Sequence, residues 1–275
     1  MTSAGPKGFG HISAQELGYP ADFDYESGSP HLKHPLLRQQ LLDRLRRSIG
    51  DVQARGLALE ALEIGAGDGS VTQPLLAYGC SVTATEMSRA SIQRLQRRYG
   101  LNPAFESLFD PDGSLSVLED RRFTMVVFAS VLHHIPDYVS ALDTVCTNHL
   151  QAGGTLVCFQ DPLWYPTVPR STRALTAASY LTWRLTQGNY TRGVKTRLRR
   201  LRGIYDESDV SDMVEYHAVR HGVNEQAVKE ALDPLFARVA LTKYWSTQPR
   251  AGQWLGSALG ATNTFAIEAS SFRGS

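Results

Sequence analysis

The sequence predicts an α/β domain built on a seven-stranded, mainly parallel sheet, and three observations carry that prediction. Short apolar runs of strand length recur from Leu59 to Phe159. Segments with apolar residues at helical spacing alternate with them. Strand–helix units repeated in this way return by right-handed crossovers and so build a parallel sheet. The last two strands, Arg238–Trp245 and Asn263–Ala269, read as a closing antiparallel hairpin.

In chain order, residues 1–10 carry Ser3, Gly5, Pro6, Gly8 and Gly10 and read as a mobile lead-in. Ser13 opens a short helix through Leu17, ended by Gly18 and Pro20. The stretch from Asp22 to Leu32 is too polar and broken for a core element. A helix then runs from Pro35 to Ile49 with Leu36, Leu37, Leu41, Leu42 and Leu45 on its buried side.

Leu59 to Ile64 is the first strand. Gly65, Gly67 and Gly69 follow at alternate positions, and Val71, Leu75 and Leu76 then recur at helical spacing. Without a Cβ, such a turn brings backbone within contact distance of a ligand. A dinucleotide fingerprint requires glycine at position 70, where Ser70 stands. Glu63 and Asp68 place two carboxylates at the mouth of the turn, which repels a pyrophosphate and suits a cation.

Ser81 to Thr85 alternates as the second strand and delivers Glu86 to its carboxyl end, the edge where open α/β sheets bind ligands. Ser88 to Tyr99 is a basic helix with a solvated face. Ala104 to Phe109 is the third strand and ends at Asp110, with Asp112 two residues on. Phe123 to Ser130 is the fourth, followed by Val131-Leu132-His133-His134-Ile135-Pro136-Asp137. On a helix, neighbouring side chains point about 100° apart, so His133 and His134 do not readily chelate one ion, and no metal is expected. Tyr138 to Leu150 is a helix closed by Gly153-Gly154, and Thr155 to Phe159 is the fifth strand.

Asp161 to Arg220 breaks this rhythm with Trp164, Tyr165, Tyr180, Trp183, Tyr190 and Tyr205. Arg192 to Arg202 holds six basic residues in eleven, interleaved with Leu198 and Leu201. Glu215-Tyr216-His217 is an acid–aromatic–histidine cluster in which His217 is the candidate base. A packed or surface histidine is the alternative reading of that residue. Asn224 caps a helix containing Ala227, Val228, Ala231 and Leu232.

The pattern E-x-G-x-G-x-G, with Glu86 twenty-one residues after Gly65, resembles the first two motifs of class I S-adenosylmethionine-dependent methyltransferases. The segment from Phe123 to Asp137 resembles the F-D-x-V-x-x-x-x-V-L-H-H-x-x-D run of that family, with Thr124 in place of the usual aspartate. The match covers about residues 59–160. It implies a Rossmann-like fold and S-adenosyl-L-methionine as cofactor, leaving S-adenosyl-L-homocysteine as product. The implied cofactor set is Glu63, Gly65, Ala66 and Gly67 at the turn and Glu86 on the ribose. Met87 and Asp110 would meet the adenine, and Ala129, Ser130 and His134 the methionine end. The resemblance also implies N-terminal helices that close over the cofactor and bring Tyr19, Tyr25 and His31 to the acceptor. Trp183, Tyr190 and Tyr216 would join them from a helical substrate lid over 161–220. The implied organisation is cap helices at 1–50, an α/β core at 51–160, the lid, and the rest of the core at 221–275.

A net charge of +1 with 20% charged residues gives no global field for nucleic acid or membrane. Three cysteines without C-x-x-C spacing suit a reducing cytoplasm. The Asn/Asp-Pro-Pro-Tyr/Phe tetrapeptide of nucleic-acid amine methylases is absent, since Phe128-Ala129-Ser130-Val131 stands there. What remains is a small, largely apolar acceptor under aromatic cover, with a homo-oligomer left open. In Gly28-Ser29-Pro30-His31-Leu32, aromatic content and length, the chain is similar to bacterial natural-product methyltransferases, in particular those of the teleocidin-pathway type. That likeness implies C-methylation of a prenyl chain coupled to terpenoid cyclisation. An O- or N-methyltransferase of an aromatic small molecule and a non-catalytic cofactor-binding protein stand as alternatives.

Overall fold

The computed structural model describes residues 29–186 and 222–274. Seven strands form one sheet in the order β3-β2-β1-β4-β5-β7-β6. They are β1 (Glu60–Ile64), β2 (Ser81–Glu86), β3 (Phe105–Phe109), β4 (Phe123–Ala129), β5 (Leu150–Pro162), β6 (Phe236–Tyr244) and β7 (Thr264–Phe272). The first five run parallel, and β7 pairs antiparallel with both β5 and β6. The topological switch lies between β1 and β4, so the carboxyl ends of β1, β2 and β4 open onto one crevice.

Helices α1 (Pro30–Lys33), α2 (Pro35–Ala54), α3 (Thr72–Ala77), α4 (Arg89–Tyr99), α5 (Tyr138–His149), α6 (Arg170–Thr186), α7 (Glu225–Leu232) and α8 (Arg250–Ala258) surround the sheet. Alternation along each strand builds two cores. Leu62, Ile64, Val126 and Phe128 face Leu142 and Val145 of α5 and Val228 and Leu232 of α7. Ala61, Met125, Val127 and Phe159 face Leu37, Leu41 and Leu45 of α2 and Leu75 of α3. Glu63 follows the parity of Ala61 and turns toward α3.

Several sequence expectations are corrected. Helix α2 runs five residues past Ile49, because Val52 continues the apolar stripe and is fully buried. Leu36 is 62% exposed, whereas Arg44 and Ser48 are buried on the inner face. Pro30 and His31, read as outside the core, form a buried helical turn. Gly153 and Gly154 do not close a helix but lie within β5, which begins at Leu150 directly after α5. A Cβ on Gly154 would stand 2.8 Å from the Gln151 carbonyl oxygen, so the strand kinks there only because the residue is glycine. The last two strands are an antiparallel pair but not a tight hairpin, since α8 lies between them. Gly256 lets α8 pack on Trp245, whose ring atoms come within 2.2 Å of where a Cβ would sit. Asp161 belongs to β5 rather than opening a lid, and the described part of that insertion ends with a 3-10 turn (Tyr165–Thr167) and the helix Arg170–Thr186.

Thr124 shows what its departure from the usual aspartate does. Its hydroxyl donates to the Ala58 carbonyl at 2.6 Å and accepts from Glu60 N–H at 3.1 Å, tying the starts of β1 and β4 together. This is the amino edge of the sheet, away from the crevice. Cys80, Cys146 and Cys158 are free and buried.

Candidate active site

The crevice is built on the turn after β1. Gly65, Gly67 and Gly69 have φ of 67°, 57° and 82°, a conformation L side chains rarely adopt. Gly65 is also needed by the protein itself, because a Cβ there would stand 2.7 Å from Val131 Cγ2. The segment after β4 thus closes directly over the end of β1. Ala66 is 5% exposed beneath the turn.

Glu86 at the end of β2 staples the turn in place. Its Oε2 accepts from Gly67 N–H at 2.8 Å, and its Oε1 accepts from Met87 N–H at 2.8 Å and Ser88 N–H at 3.1 Å. Oε1 has both lone pairs engaged and Oε2 keeps one for a further donor. Burial raises the Glu86 carboxyl, while the N–H groups of Gly67, Ser88 and Met87 lower it. Met87 lies beside the turn at Gly113, its sulfur 3.6 Å from the position of a Cβ there.

Asp110 follows β3, and its N–H donates to the Glu86 carbonyl at 3.0 Å. Its Oδ2 accepts from Leu115 N–H at 3.1 Å, while Oδ1 is buried with no hydrogen-bond partner among the described residues. An orphaned buried acceptor costs about 1–3 kcal/mol. Burial pushes this carboxyl up to about 6.

Glu63 is 2% exposed and accepts a hydrogen bond from the Thr72 hydroxyl. Burial pushes it up to about 8, against the Thr72 hydrogen bond, with Asp68 and Glu86 adding to the rise. The sign of the pH dependence follows. Glu63 and Asp110 titrate in the fold above their ordinary 4.5 and 3.8, so the folded chain holds more protons than the unfolded one in between. Stability is therefore kept below those ordinary values and lost as pH rises through about 6 and about 8. Each group takes up to about 1.4 kcal/mol per pH unit. The ligand-free protein should show a lower urea midpoint at pH 8.5 than at pH 6, and Glu63→Gln should flatten that fall. An equal midpoint at both pH values would contradict the ionisation pattern.

After β4, Ala129 is partly buried and Ser130 adopts φ 63°, a strained value for a residue with a side chain. The following Leu132–His134 forms a 3-10 turn rather than an α-helix. His133 and His134 still diverge in role, although their rings lie 4.0 Å apart. His133 is buried, and its Nδ1 lies 2.8 Å from Asp161 Oδ1, which also accepts from His133 N–H at 3.2 Å. Asp161 is fully buried, and its Oδ2 has no hydrogen-bond partner among the described residues. Burial raises the Asp161 carboxyl and lowers the His133 imidazole, so each is biased toward its uncharged form. His134 is half-buried beside them. The preceding Gln160 adopts φ 71° at the β5 bulge and is held by Tyr244 and Ser246.

The structure thus brings Glu63, Gly65, Ala66, Gly67, Glu86, Met87, Asp110, Ala129, Ser130 and His134 to the carboxyl edge of the sheet. Of the acceptor-side residues, His31 lies buried with its ring edge-on to Phe159 at 5.9 Å, and burial lowers it to about 4. Trp183 sits on α6, 5.7 Å from the Tyr180 ring. Tyr19, Tyr25, Tyr190, Tyr216 and His217 lie outside the described residues. The His133–Asp161 pair was missed in the sequence. Its signal was present, because Asp161 ends an apolar strand as Glu86 and Asp110 do. Among the described residues no group of three or more His, Cys, Asp or Glu is placed to hold a metal ion. Nor is any described helix long and apolar enough to cross a membrane.

Fold and edge together define an α/β domain with a positive-φ glycine turn at the carboxyl ends of parallel strands. Residues 62–156 match a family model described as a methyltransferase domain. The chain is 25% identical over 155 residues to the ubiquinone biosynthesis O-methyltransferase of Alkalilimnicola ehrlichii, which covers 54% of this chain and 58% of that protein. The match therefore spans little more than half the length of that relative. Among solved structures, the N-methyltransferase NodS of Bradyrhizobium japonicum, in complex with S-adenosyl-L-homocysteine, superposes with TM-score 0.51 at 16% identity. That superposition covers 94% of this chain and 98% of NodS. A putative sarcosine dimethylglycine methyltransferase from Galdieria sulphuraria gives 0.52 at 11% identity, covering 87% and 89%. Residues 62–156 thus resemble a methyltransferase domain, and the chain shares the fold of these two structures.

Proposed function

We propose that the protein is an S-adenosylmethionine-dependent methyltransferase acting on a small, largely apolar natural product. The observation that carries this reading is the convergence of three features at one sheet edge. They are a positive-φ glycine turn, a carboxylate at the end of β2 with one acceptor position left, and the orphaned Asp110 Oδ1. These fit a ribose hydroxyl at Glu86 and an adenine amino group at Asp110, with Met87 against the base. Glu63 and the Gly65–Gly67 backbone would hold the amino-acid end, and Ala129, Ser130 and His134 would line the approach to the methyl group.

Bound there, the cofactor supplies a methyl group already activated on a sulfonium. The chain then has to align the acceptor and exclude water, together worth up to roughly 7–11 kcal/mol. His31 and Trp183 would contribute to the apolar cover such an acceptor needs. The near-neutral charge supports a free small molecule over nucleic acid or membrane, and the buried free thiols support a cytoplasmic setting. C-methylation of a prenyl carbon, with cyclisation to follow, is the finer reading that the resemblance favours. Aromatic faces suit the carbocation it leaves by about 0.5–2 kcal/mol each. O- or N-methylation is the second reading, and the His133–Asp161 pair favours it, because a base held in one orientation serves an acceptor that loses a proton.

Titration calorimetry tests the cofactor assignment. S-adenosyl-L-homocysteine should bind, while NAD(H) and NADP(H) should not. Glu86→Ala should weaken the binding by about 1.5–3 kcal/mol, the scale of a hydrogen bond to a charged group. It should also lower the thermal midpoint, since the same carboxylate holds Gly67, Met87 and Ser88. Unchanged affinity would mean that another acid holds the ribose.

A further inference from the structure

Three carboxyl groups converge on the glycine turn, and their hydrogen bonds differ. Glu86 accepts three backbone N–H groups and is faced by Arg94. Asp68 accepts Ser70 N–H at 3.1 Å and lies 3.8 Å from Arg98 Nη1. Each of these two carboxyl groups thus meets more than one N–H or guanidinium group. Glu63, the most deeply buried of them, has among the described residues a single hydroxyl donor, Thr72 of α3, and is faced by the other two acids. Tyr99 of α4 also turns toward it, with its hydroxyl donating to the Gly69 carbonyl at 2.9 Å. Like charges this close do not all ionise in a buried site, and the proton rests on the group with fewest donors.

We propose that Glu63 carries a proton in the free protein and surrenders it to solvent when the ligand's ammonium group seats over the turn. This rests on the cofactor reading above. No covalent bond changes. The carboxylate and the ammonium form an ion pair, the Thr72 hydroxyl continues to donate to the carboxylate, and the released proton goes to the buffer. Burial already holds this carboxyl at about 8, which leaves it mainly protonated at pH 7.

The consequence is measurable without turnover. Calorimetric titration of S-adenosyl-L-homocysteine at pH 7, in buffers of different ionisation enthalpy, should show close to one proton released per ligand. The dissociation constant should fall about tenfold between pH 6 and pH 7 and level off above pH 8. Asp110 lies in the same site, so Glu63→Gln provides the assignment, and its proton release should drop to near zero. 5′-Methylthioadenosine, which keeps the adenosine and lacks the amino-acid group, should bind with no proton released by either form. Binding of S-adenosyl-L-homocysteine with no proton exchange in the wild-type chain overturns the inference and leaves the cofactor reading standing. Release that persists in Glu63→Gln moves the proton to another group and also overturns it. Should the glutamine variant not fold, the wild-type contrast between the two ligands decides alone: equal release with both overturns the proposal. No binding of either nucleoside would instead remove the cofactor reading itself.

Discussion

Gly67→Val is expected to abolish binding of S-adenosyl-L-homocysteine while leaving the sheet intact. Two effects combine at this residue. Its φ of 57° is strained for any side chain and most of all for a β-branched one. A branched Cβ would also occupy space that the bare turn leaves to a ligand. The affinity loss should be roughly a thousandfold or more, about 4 kcal/mol. Far-ultraviolet circular dichroism and a cooperative thermal transition would show that the variant folds, because both cores lie on the faces of the sheet and not at its edge. Near-normal affinity in such a variant would take this turn out of the ligand site.

His133→Ala should lower methyl transfer by about 10²–10⁴-fold if the acceptor gives up a proton, with little change in S-adenosyl-L-homocysteine affinity. The residue sits where β4 and β5 end, fixed by two contacts to one carboxylate oxygen, so the orientation of its ring is set by Asp161. Asp161→Asn should then reduce transfer as well and shift its pH profile, since the amide no longer matches the proton balance of the pair. An acceptor methylated first at an alkene carbon would behave differently, and its methyl step would persist in His133→Ala. Rate against pH for the two variants, measured on the same acceptor, therefore separates O- or N-methylation from prenyl C-methylation. Loss of cofactor affinity in both variants would place the pair at the cofactor rather than at the acceptor.

The sequence by itself determined the strand–helix alternation, the glycine turn and the acids that end β2 and β3. These are local patterns. Apolar periodicity reports which face of a strand or helix is buried, and Gly65, Gly67 and Gly69 report a backbone shape that other residues resist. It also identified Asn224 as a helix cap, confirmed by a hydrogen bond from Ala227 N–H three positions on. Only the tertiary structure decided the relations between distant segments. The pairing of His133 with Asp161 joins residues 28 apart along the chain, and the acid at the end of an apolar strand does not by itself say which side chain it meets. The occupation of Glu86 by Gly67 N–H, and so its role in holding the turn, depends on β1 and β2 lying side by side. The burial of Arg44 and His31 arises because the sheet presents Phe159 and Tyr244 to them, with the Arg44 guanidinium 5.6 and 5.9 Å from those rings. The donor count that singles out Glu63 among three acids has the same origin. A sequence lists the ionisable groups, but burial and the number of donors within reach decide which of them carries the proton, and both are set by packing.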